Sequence, residues 1–420
     1  MLKEEKMLLA GRGALLGLAC GDALGTTLEF KPKDSYSPLT DIVGGGPFGL
    51  NPGEWTDDTA MMLCLADSLI EKGGNDLKDQ LERYTRWYQH GENSCTGRCF
   101  DIGNTVRNAL VRHQVTGKAY SGVTDEYSAG NGSLMRIAPL ALFYRDQCVS
   151  VAMEAAAESS RTTHGESRCV QACELMTMLI HRLLNTTDEQ SPQMFLAHAL
   201  ADYFALRPDC HSDICYIAQG SYIDKTRDGI HGSGFVVASL EAALWCFAHS
   251  TSFEQGALLA ANLGEDADTT AAIYGQLAGA YYGGAAIPVH WRQKLAWRHH
   301  IEDIALWLMR RPKRAHIKGF ISEVKRQIDL GDVGRVNIYG LVYHYDLMID
   351  QINYDEIFAS KPWYDDLPPS VWFADATMRQ SLCWLISLVR RERFMDGLIE
   401  DSVANGAVSA CLDRLEELVA

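Results

Sequence analysis

Two short acidic runs are the residues of this 420-residue chain best suited to chemistry. The first, Trp55-Thr56-Asp57-Asp58-Thr59, opens into the apolar stretch Ala60-Met61-Met62-Leu63-Cys64-Leu65. The second, Gly264-Glu265-Asp266-Ala267-Asp268-Thr269-Thr270, leads into Ala271-Ala272-Ile273-Tyr274. Thr and Asp at the start of an apolar helix ordinarily act as caps, satisfying free N–H groups and complementing the helix dipole. Capping uses one or two oxygens, whereas Asp57, Asp58, Glu265, Asp266 and Asp268 together supply many more. If the two helix starts converge, that much negative charge repels strongly unless cations neutralise it. Hydroxyl and carboxylate donors suit hard ions such as Mg²⁺ or Mn²⁺, not zinc or copper. So many carboxylates fit two ions, a pair that orients hydroxyls and activates water. Convergence itself is a property of the fold.

The elements that must position these runs read as helices. Apolar periodicity predicts helices over Thr56–Ile70, Val149–Ser160, Ser167–Leu184, Gly234–Ala248 and Thr269–Tyr282. β-branched alternation is rare, so the expected fold is all-α. Gly13, Gly17, Gly21 and Gly25 recur every four residues, leaving one helix face without side chains and open to another backbone. Asp22 interrupts this stretch, and no apolar run is expected to reach the ~20 residues of a membrane helix. The basic run Arg310-Arg311-Pro312-Lys313-Arg314 ends a helix beginning near Trp297 and divides the chain into 1–310 and 311–420. The second part holds a Tyr-rich stretch (Ile338–Tyr354), a turn at Leu367-Pro368-Pro369 and amphipathic helices through Leu418.

Composition narrows the function classes. With 47% hydrophobic residues the chain is not globally disordered. Its 38 Lys and Arg against 54 Asp and Glu give a formal charge of −16, which disfavours broad nucleic-acid binding. An anionic small molecule held by a few local donors remains compatible with that charge. Met1–Met7 mixes Lys with Glu and does not read as an export signal, so the twelve cysteines are expected to be reduced thiols in a cytoplasmic protein.

An ordered series of motifs goes further. It comprises Gly21-Asp22-Ala23-Leu24-Gly25 with Glu29 downstream, Gly53-Glu54-Trp55-Thr56-Asp57-Asp58-Thr59, and Gly97-Arg98-Cys99-Phe100-Asp101-Ile102-Gly103-Asn104-Thr105. It continues through Gly130-Asn131-Gly132-Ser133-Leu134-Met135-Arg136, Thr163-His164, Ser233-Gly234-Phe235 and the second acidic run. In this series, from about Gly13 to Gly284, the chain resembles the ADP-ribosylglycohydrolases, including the dinitrogenase reductase-activating glycohydrolases and ADP-ribosylarginine hydrolases. The resemblance implies a compact, orthogonal all-α fold with a binuclear Mg²⁺ or Mn²⁺ centre. Its ligands would be Thr56, Asp57, Asp58, Asp266, Asp268 and Thr269, with Glu29 beside them as a ligand or an acid/base group. Glu29, Asp58 and Asp101 are the implied catalytic carboxylates. The substrate-binding set would be Gly130, Asn131, Gly132, Ser133, Met135, His164, Gly234 and Phe235. The implied reaction is hydrolysis between C1″ of ADP-ribose and a modified protein side chain, arginine in the bacterial members. An ADP-ribosylated protein would be the substrate and ADP-ribose the product.

The residues fit that chemistry. Two hard cations can bind the cis 2″- and 3″-hydroxyls of the distal ribose, and carboxylates can deliver water and protonate the departing nitrogen. A backbone N–H cradle at Gly130–Ser133 would accept the pyrophosphate without a basic surface. Arg136 would either assist there or pair with a structural acid. Phe235 stands where many relatives have Tyr, so stacking replaces a hydroxyl contact. Glu265 stands where Gly is common and adds a carboxylate near the metals. Cys95/Cys99 and Cys169/Cys173 have zinc-like spacing, but the resemblance needs no zinc. Beyond residue 311 the chain resembles a small bacterial domain of unknown function through Leu388-Val389-Arg390-Arg391-Glu392-Arg393-Phe394, Gly397 and Gly406. That module would be mainly helical and could recruit a protein partner. The rival readings are cleavage of a serine, acetyl or nucleobase linkage by the same fold, a non-catalytic ADP-ribose reader, and a protein whose C-terminal module is its main functional part.

Overall fold

The computed structural model describes residues 3–186, 188–310, 312–330, 336–349 and 367–420. These residues form α-helices joined by turns, with no strands among them and three isolated β-bridges, so the fold is all-α. The chain divides into two compact units, Met1–Leu69 with Asn75–Ala305 and Ile70–Gly74 with Leu306–Ala420. The boundary falls inside the helix Arg298–Arg310 rather than at the basic run that follows it.

The first unit is organised around two helices, α1 (Lys3–Gly25) and α2 (Ala267–Tyr282). They run antiparallel with their backbones in contact. A Cβ on Gly17 would lie 2.2 Å from the carbonyl oxygen of Gly275, and one on Gly275 would lie 2.0 Å from that of Gly17. The same reciprocal contact joins Gly13 to Gly279, while Gly21 and Gly25 meet the carbonyls of Ala271 and Ala267. The four-residue glycine repeat is therefore one half of a helix–helix seam. Length and composition alone would let the stretch Glu4–Leu28 cross a membrane, which corrects the expectation that no run is long enough; 78% of its most apolar window is buried inside the protein. The expected helices over the other periodic stretches form at Asp57–Lys72, Val149–Arg161, Ser167–Asn185 and Val236–Ala248. We call the helix Asp57–Lys72 α3.

A second correction concerns the cysteines. Cys210 and Cys215 form a disulfide at the start of the short helix Ser212–Ala218, and the other ten are free. The expectation of reduced thiols rested on compartment; a six-residue turn that brings two Cα atoms to 5.8 Å is local geometry. Cys169 and Cys173 sit one turn apart, donating to the Gly130 carbonyl (3.2 Å) and Ser133 Oγ (3.4 Å), and Cys95 donates to the Trp55 carbonyl.

The second unit has its own apolar core, including Phe320, Val324, Leu382, Leu385, Leu412 and Leu415. A capping box starts its helix Met378–Glu392: Thr377 accepts from the Gln380 N–H, and the Gln380 side chain accepts from the Thr377 N–H. Gly397 and Gly406 take left-handed backbone angles immediately before the helices Leu398–Ala404 and Ala407–Val419. The Tyr-rich stretch contributes the helix Ile338–His344, and its residues 350–354 lie outside the described ones.

The seam gives a direct test. Gly17→Val is expected to destabilise the protein by at least about 3 kcal/mol, because no rotamer relieves a clash with a backbone carbonyl. Gly229→Ala, where an added Cβ meets nothing within 4 Å, is the control and should stay within about 1 kcal/mol. Denaturant unfolding of both variants measures the difference, and equal midpoints would contradict the seam.

Candidate metal and substrate site

The two acidic runs converge. α3 begins at Asp57 and α2 at Ala267, and their first turns face each other across the end of α1. Thr56 Oγ1 lies 3.1 Å from Asp58 Oδ2 and 3.3 Å from Asp268 Oδ2, and Thr269 Oγ1 lies 3.5 Å from Asp58 Oδ2. The caps of these helices come from elsewhere. Asp22, within α1, accepts from the Thr56 N–H (2.9 Å) and the Thr59 N–H (3.0 Å) at the start of α3. Glu29, delivered by the 3₁₀ turn Thr26–Leu28 that follows α1, accepts from the Ala267 N–H (3.1 Å) at the start of α2. Capping thus leaves Asp57 and Asp58 unused. The role of Asp22 escaped the sequence reading, which took it as an interruption of the glycine stripe and quoted it in the Gly21-Asp22-Ala23-Leu24-Gly25 motif without giving it a role.

The electrostatics of this floor are extreme. Asp22, Asp58 and Asp268 each bring a carboxylate oxygen within 4.8 Å of the others, and so do Glu29, Asp266 and Asp268. Burial, reinforced by Asp268, pushes the Asp22 carboxyl up to about 7; the same causes push Asp266 up to about 7. Burial also raises Asp57, Asp58 and Glu29 far above the usual carboxylate range, with neighbouring carboxylates adding to it. Thr56 Oγ1 has one proton to share among Asp22 Oδ1 (3.0 Å), Asp58 and Asp268, so carboxylate oxygens face one another unshielded. Asp58 Oδ1 is buried without any hydrogen-bond partner. An oxygen-only cluster with an orphaned, inward carboxylate oxygen fits hard divalent cations. The two groups share Asp268. They include Glu29, expected there as a ligand or an acid/base group, and add Asp22; Asp57 belongs to neither group.

A cavity of about 820 Å³ opens above this floor, bounded by Glu29, Asp57, Asp101, Gly130, Gly132, Met135, His164, Gly234 and Thr269 among others. The Gly130 loop is held by backbone pairing: Val236 N–H donates to the Ala129 carbonyl and Asn131 N–H to the Gly234 carbonyl. The Asn131 amide donates to Asp266 Oδ2 at 2.7 Å, so this residue aims a carboxylate as well as shaping the loop. Ser133 is turned inward, its Oγ accepting from Ser160 Oγ at 2.9 Å. Arg136 takes neither role expected of it. It is buried over the Tyr84 ring (4.6 Å), donating to the Gly132 carbonyl (2.9 Å) and Thr163 Oγ1 (2.8 Å). Thr163 Oγ1, which accepts from Arg136, also shares a hydrogen bond with His164 Nδ1 (2.9 Å), leaving Nε2 as the ring nitrogen on the Gly130–Gly132 side. Burial, then the nearby Arg136 charge, lowers His164 to about 3 and keeps it neutral. Its ring edge lies against Gly132, where a Cβ would come within 3.0 Å. Phe235 is half-exposed beside Gly234, with the Arg168 guanidinium 5.3 Å from its ring centre.

Three residues around the cavity hold left-handed backbone angles that side chains disfavour: Phe30 (φ 63°), Asp101 (φ 59°) and Glu265 (φ 60°). Phe30 and Glu265 fix each other's loops, with Phe30 N–H donating to the Glu265 carbonyl (2.7 Å) and Glu265 N–H to the Lys31 carbonyl (2.8 Å). The left-handed angle at 265 explains why glycine suits that place. Burial, then the Asp57 and Asp268 charges, pushes Asp101 up to about 11.

Comparison with known proteins agrees with this geometry. Residues 6–316 match the family model described as ADP-ribosylglycohydrolase, and residues 335–420 match a family of unknown function, DUF6508. The chain is 47% identical over 304 residues to the ADP-ribosylarginine hydrolase Tri1 of Pseudomonas putida (strain GB-1), covering 72% of this chain and 79% of that protein. It is 42% identical to the ADP-ribosylarginine hydrolase Tri1 of Serratia proteamaculans (strain 568), covering 73% and 80%. A solved structure titled ADP-ribosylglycohydrolase-related protein complex superposes with a TM-score of 0.64 at 40% identity, over 73% of this chain and 99% of that one. The chain belongs to the ADP-ribosylglycohydrolase family, and its acidic floor and cavity lie within the part that the family model matches.

Proposed function

We propose that the protein hydrolyses the N-glycosidic bond of ADP-ribosylated arginine in a protein, with two divalent cations as cofactors. The observation that carries this reading is the meeting of the two acidic helix starts beneath one cavity, with an unpartnered Asp58 oxygen at their centre. The arginine linkage is favoured by the relatives named ADP-ribosylarginine hydrolase. Thr56, Asp57, Asp58, Asp266, Asp268 and Thr269 would hold the ions, joined by Asp22 and Glu29. Two Mg²⁺ or Mn²⁺ ions would neutralise these carboxylates and anchor the cis hydroxyls of the distal ribose.

The chain's own groups do the rest. The Gly130–Gly132 backbone offers neutral donors to the pyrophosphate, as does His164 in its Nε2–H tautomer. Phe235 offers an aromatic face to the adenine. One carboxylate among Glu29, Asp58 and Asp101 accepts a proton from the attacking water as its oxygen bonds to C1″. The C1″–N bond breaks, and a second carboxyl of this set donates a proton to the departing guanidine nitrogen. Free ADP-ribose and unmodified arginine result.

Release of ADP-ribose from an ADP-ribosylarginine protein is the test, run beside a serine-linked substrate. Activity is expected with Mg²⁺ or Mn²⁺ and not with EDTA, and Asp57→Ala or Asp58→Ala should lower kcat/KM by at least about 100-fold. Release that survives EDTA and both substitutions would refute the metal mechanism; preference for serine would refute the linkage.

The raised carboxyls give an independent, non-catalytic check. In the metal-free fold Asp22 and Asp266 keep their protons up to about pH 7, whereas an unfolded Asp releases its proton near pH 4. Their contribution to stability is therefore present below about pH 4 and is lost as pH rises through 7. Cations that favour the ionised form should recover it, so Mn²⁺ is expected to raise the thermal midpoint more at pH 8 than at pH 5. A gain that is equal at both pH values, or larger at pH 5, would count against these carboxylates as ligands.

A further inference from the structure

The mouth of the cavity carries a feature that the reaction outlined above leaves unused. Phe30 is 66% exposed, and it holds a left-handed backbone angle that a bulky residue rarely adopts. Strain of this kind persists only where the surroundings impose it, and here two backbone hydrogen bonds with the Glu265 loop do so. The result is a phenyl ring projected into solvent directly after Glu29. It does not stand alone. Phe48 lies edge-on to it at 6.3 Å, presented by the Gly45–Leu50 turn, whose two ends exchange hydrogen bonds of 2.8 and 3.0 Å. Phe100 packs on Phe48 at 5.2 Å and immediately precedes Asp101. Three rings from three separate loops thus form one aromatic surface, which reaches the cavity wall through Phe30; in the chain Phe30 follows Glu29 and Phe100 precedes Asp101.

The chemistry of the neighbourhood selects what that surface receives. Glu29, Asp57, Asp101, Glu265 and Asp266 line the cavity, and among the described residues neither Lys nor Arg does. A phosphate finds no basic side chain there, and its neutral donors lie along the Gly130–Gly132 wall. A cation meets carboxyl oxygens beside aromatic faces. Guanidinium suits both, because it is planar, weakly hydrated, attracted to ring faces and shaped to donate to a carboxylate. We propose that Phe30, Phe48 and Phe100 form a seat for the guanidinium and alkyl stem of the target protein's arginine, and so determine linkage specificity. This rests on the arginine reading above and names the part of the chain that enforces it.

The experiment measures binding and turnover separately. Protein loaded with Mg²⁺ and ADP-ribose is titrated with an arginine peptide and with the same peptide bearing uncharged, nearly isosteric citrulline. The arginine peptide should bind at least about 10-fold more tightly. Phe30→Ala and Phe100→Ala should each weaken it by about 5- to 20-fold while ADP-ribose affinity stays within about 2-fold, and Phe30→Tyr should bind like the wild type. In turnover, Phe30→Ala should raise KM for the arginine-linked substrate more than it lowers kcat. Because Phe30 is exposed, an unchanged thermal midpoint is expected to certify the variant's fold.

Arginine-peptide affinity indifferent to both substitutions, or an equal loss of ADP-ribose affinity, would overturn the proposal. Wild-type protein that cleaves no arginine linkage, yet binds arginine over citrulline in a Phe30-dependent way, would remove the function reading and leave the seat standing. Efficient arginine cleavage insensitive to the rings would do the reverse.

Discussion

Backbone contact between α1 and α2 is the constraint on which the site depends. Where a carbonyl on one helix occupies the space of a Cβ on the other, neither helix can rotate or slide by a residue without a clash. Glycine in a helix costs about 0.5–1 kcal/mol relative to alanine, and a four-glycine stripe accepts that cost several times over. What it secures is register. Asp22 follows Gly21 directly, so fixing Gly21 against Ala271 fixes a carboxylate beside the first turn of α2. That carboxylate in turn fixes Thr56 and Thr59, and with them the start of α3. Glu29, just beyond the same helix, fixes Ala267.

The same arrangement concentrates electrostatic conflict. Asp22 and Glu29 cap the two helix starts, and this leaves Asp58 to meet Asp22 and Asp268 while Asp57 lines the cavity. Carboxyls raised by burial and mutual repulsion are a poor choice for a core designed only to be stable. They make sense where something that binds only to the folded state removes the conflict, because its binding free energy then adds to folding. If cations are what binds, proton release and cation uptake are two sides of one equilibrium at this floor.

Much of this was legible in the sequence, and the remainder has identifiable causes. The acidic runs, the helical class and the Gly130 loop carry local signals: cap-like residues before apolar periodicity, and glycines where backbone must approach a ring. Asp22 was given no role because a stripe of small residues suggests packing, and nothing local says that the one polar residue in it reaches another helix. Arg136 failed both expectations because its partners are carbonyl and hydroxyl groups and the Tyr84 ring, which charge-based reasoning ignores. The inward turn of Ser133 depends on Ser160, on a different helix. The aromatic seat has no sequence signature, since its three rings belong to loops brought together only by tertiary structure.

The charge balance then takes on a local meaning. A formal charge of −16 is at odds with the proposed pyrophosphate substrate only if phosphate must meet lysine and arginine. Here Arg136 is spent on holding the Gly132 carbonyl and Thr163 Oγ1, which in turn bonds His164 Nδ1. Its charge adds to burial in keeping that imidazole neutral. Among the described residues no Lys or Arg lines the cavity, so nothing there would attract anions in general. Under the proposed function an anion would be held only if it also fitted the backbone donors and brought hydroxyls to cations on the acidic floor, which is a stricter demand than charge alone imposes.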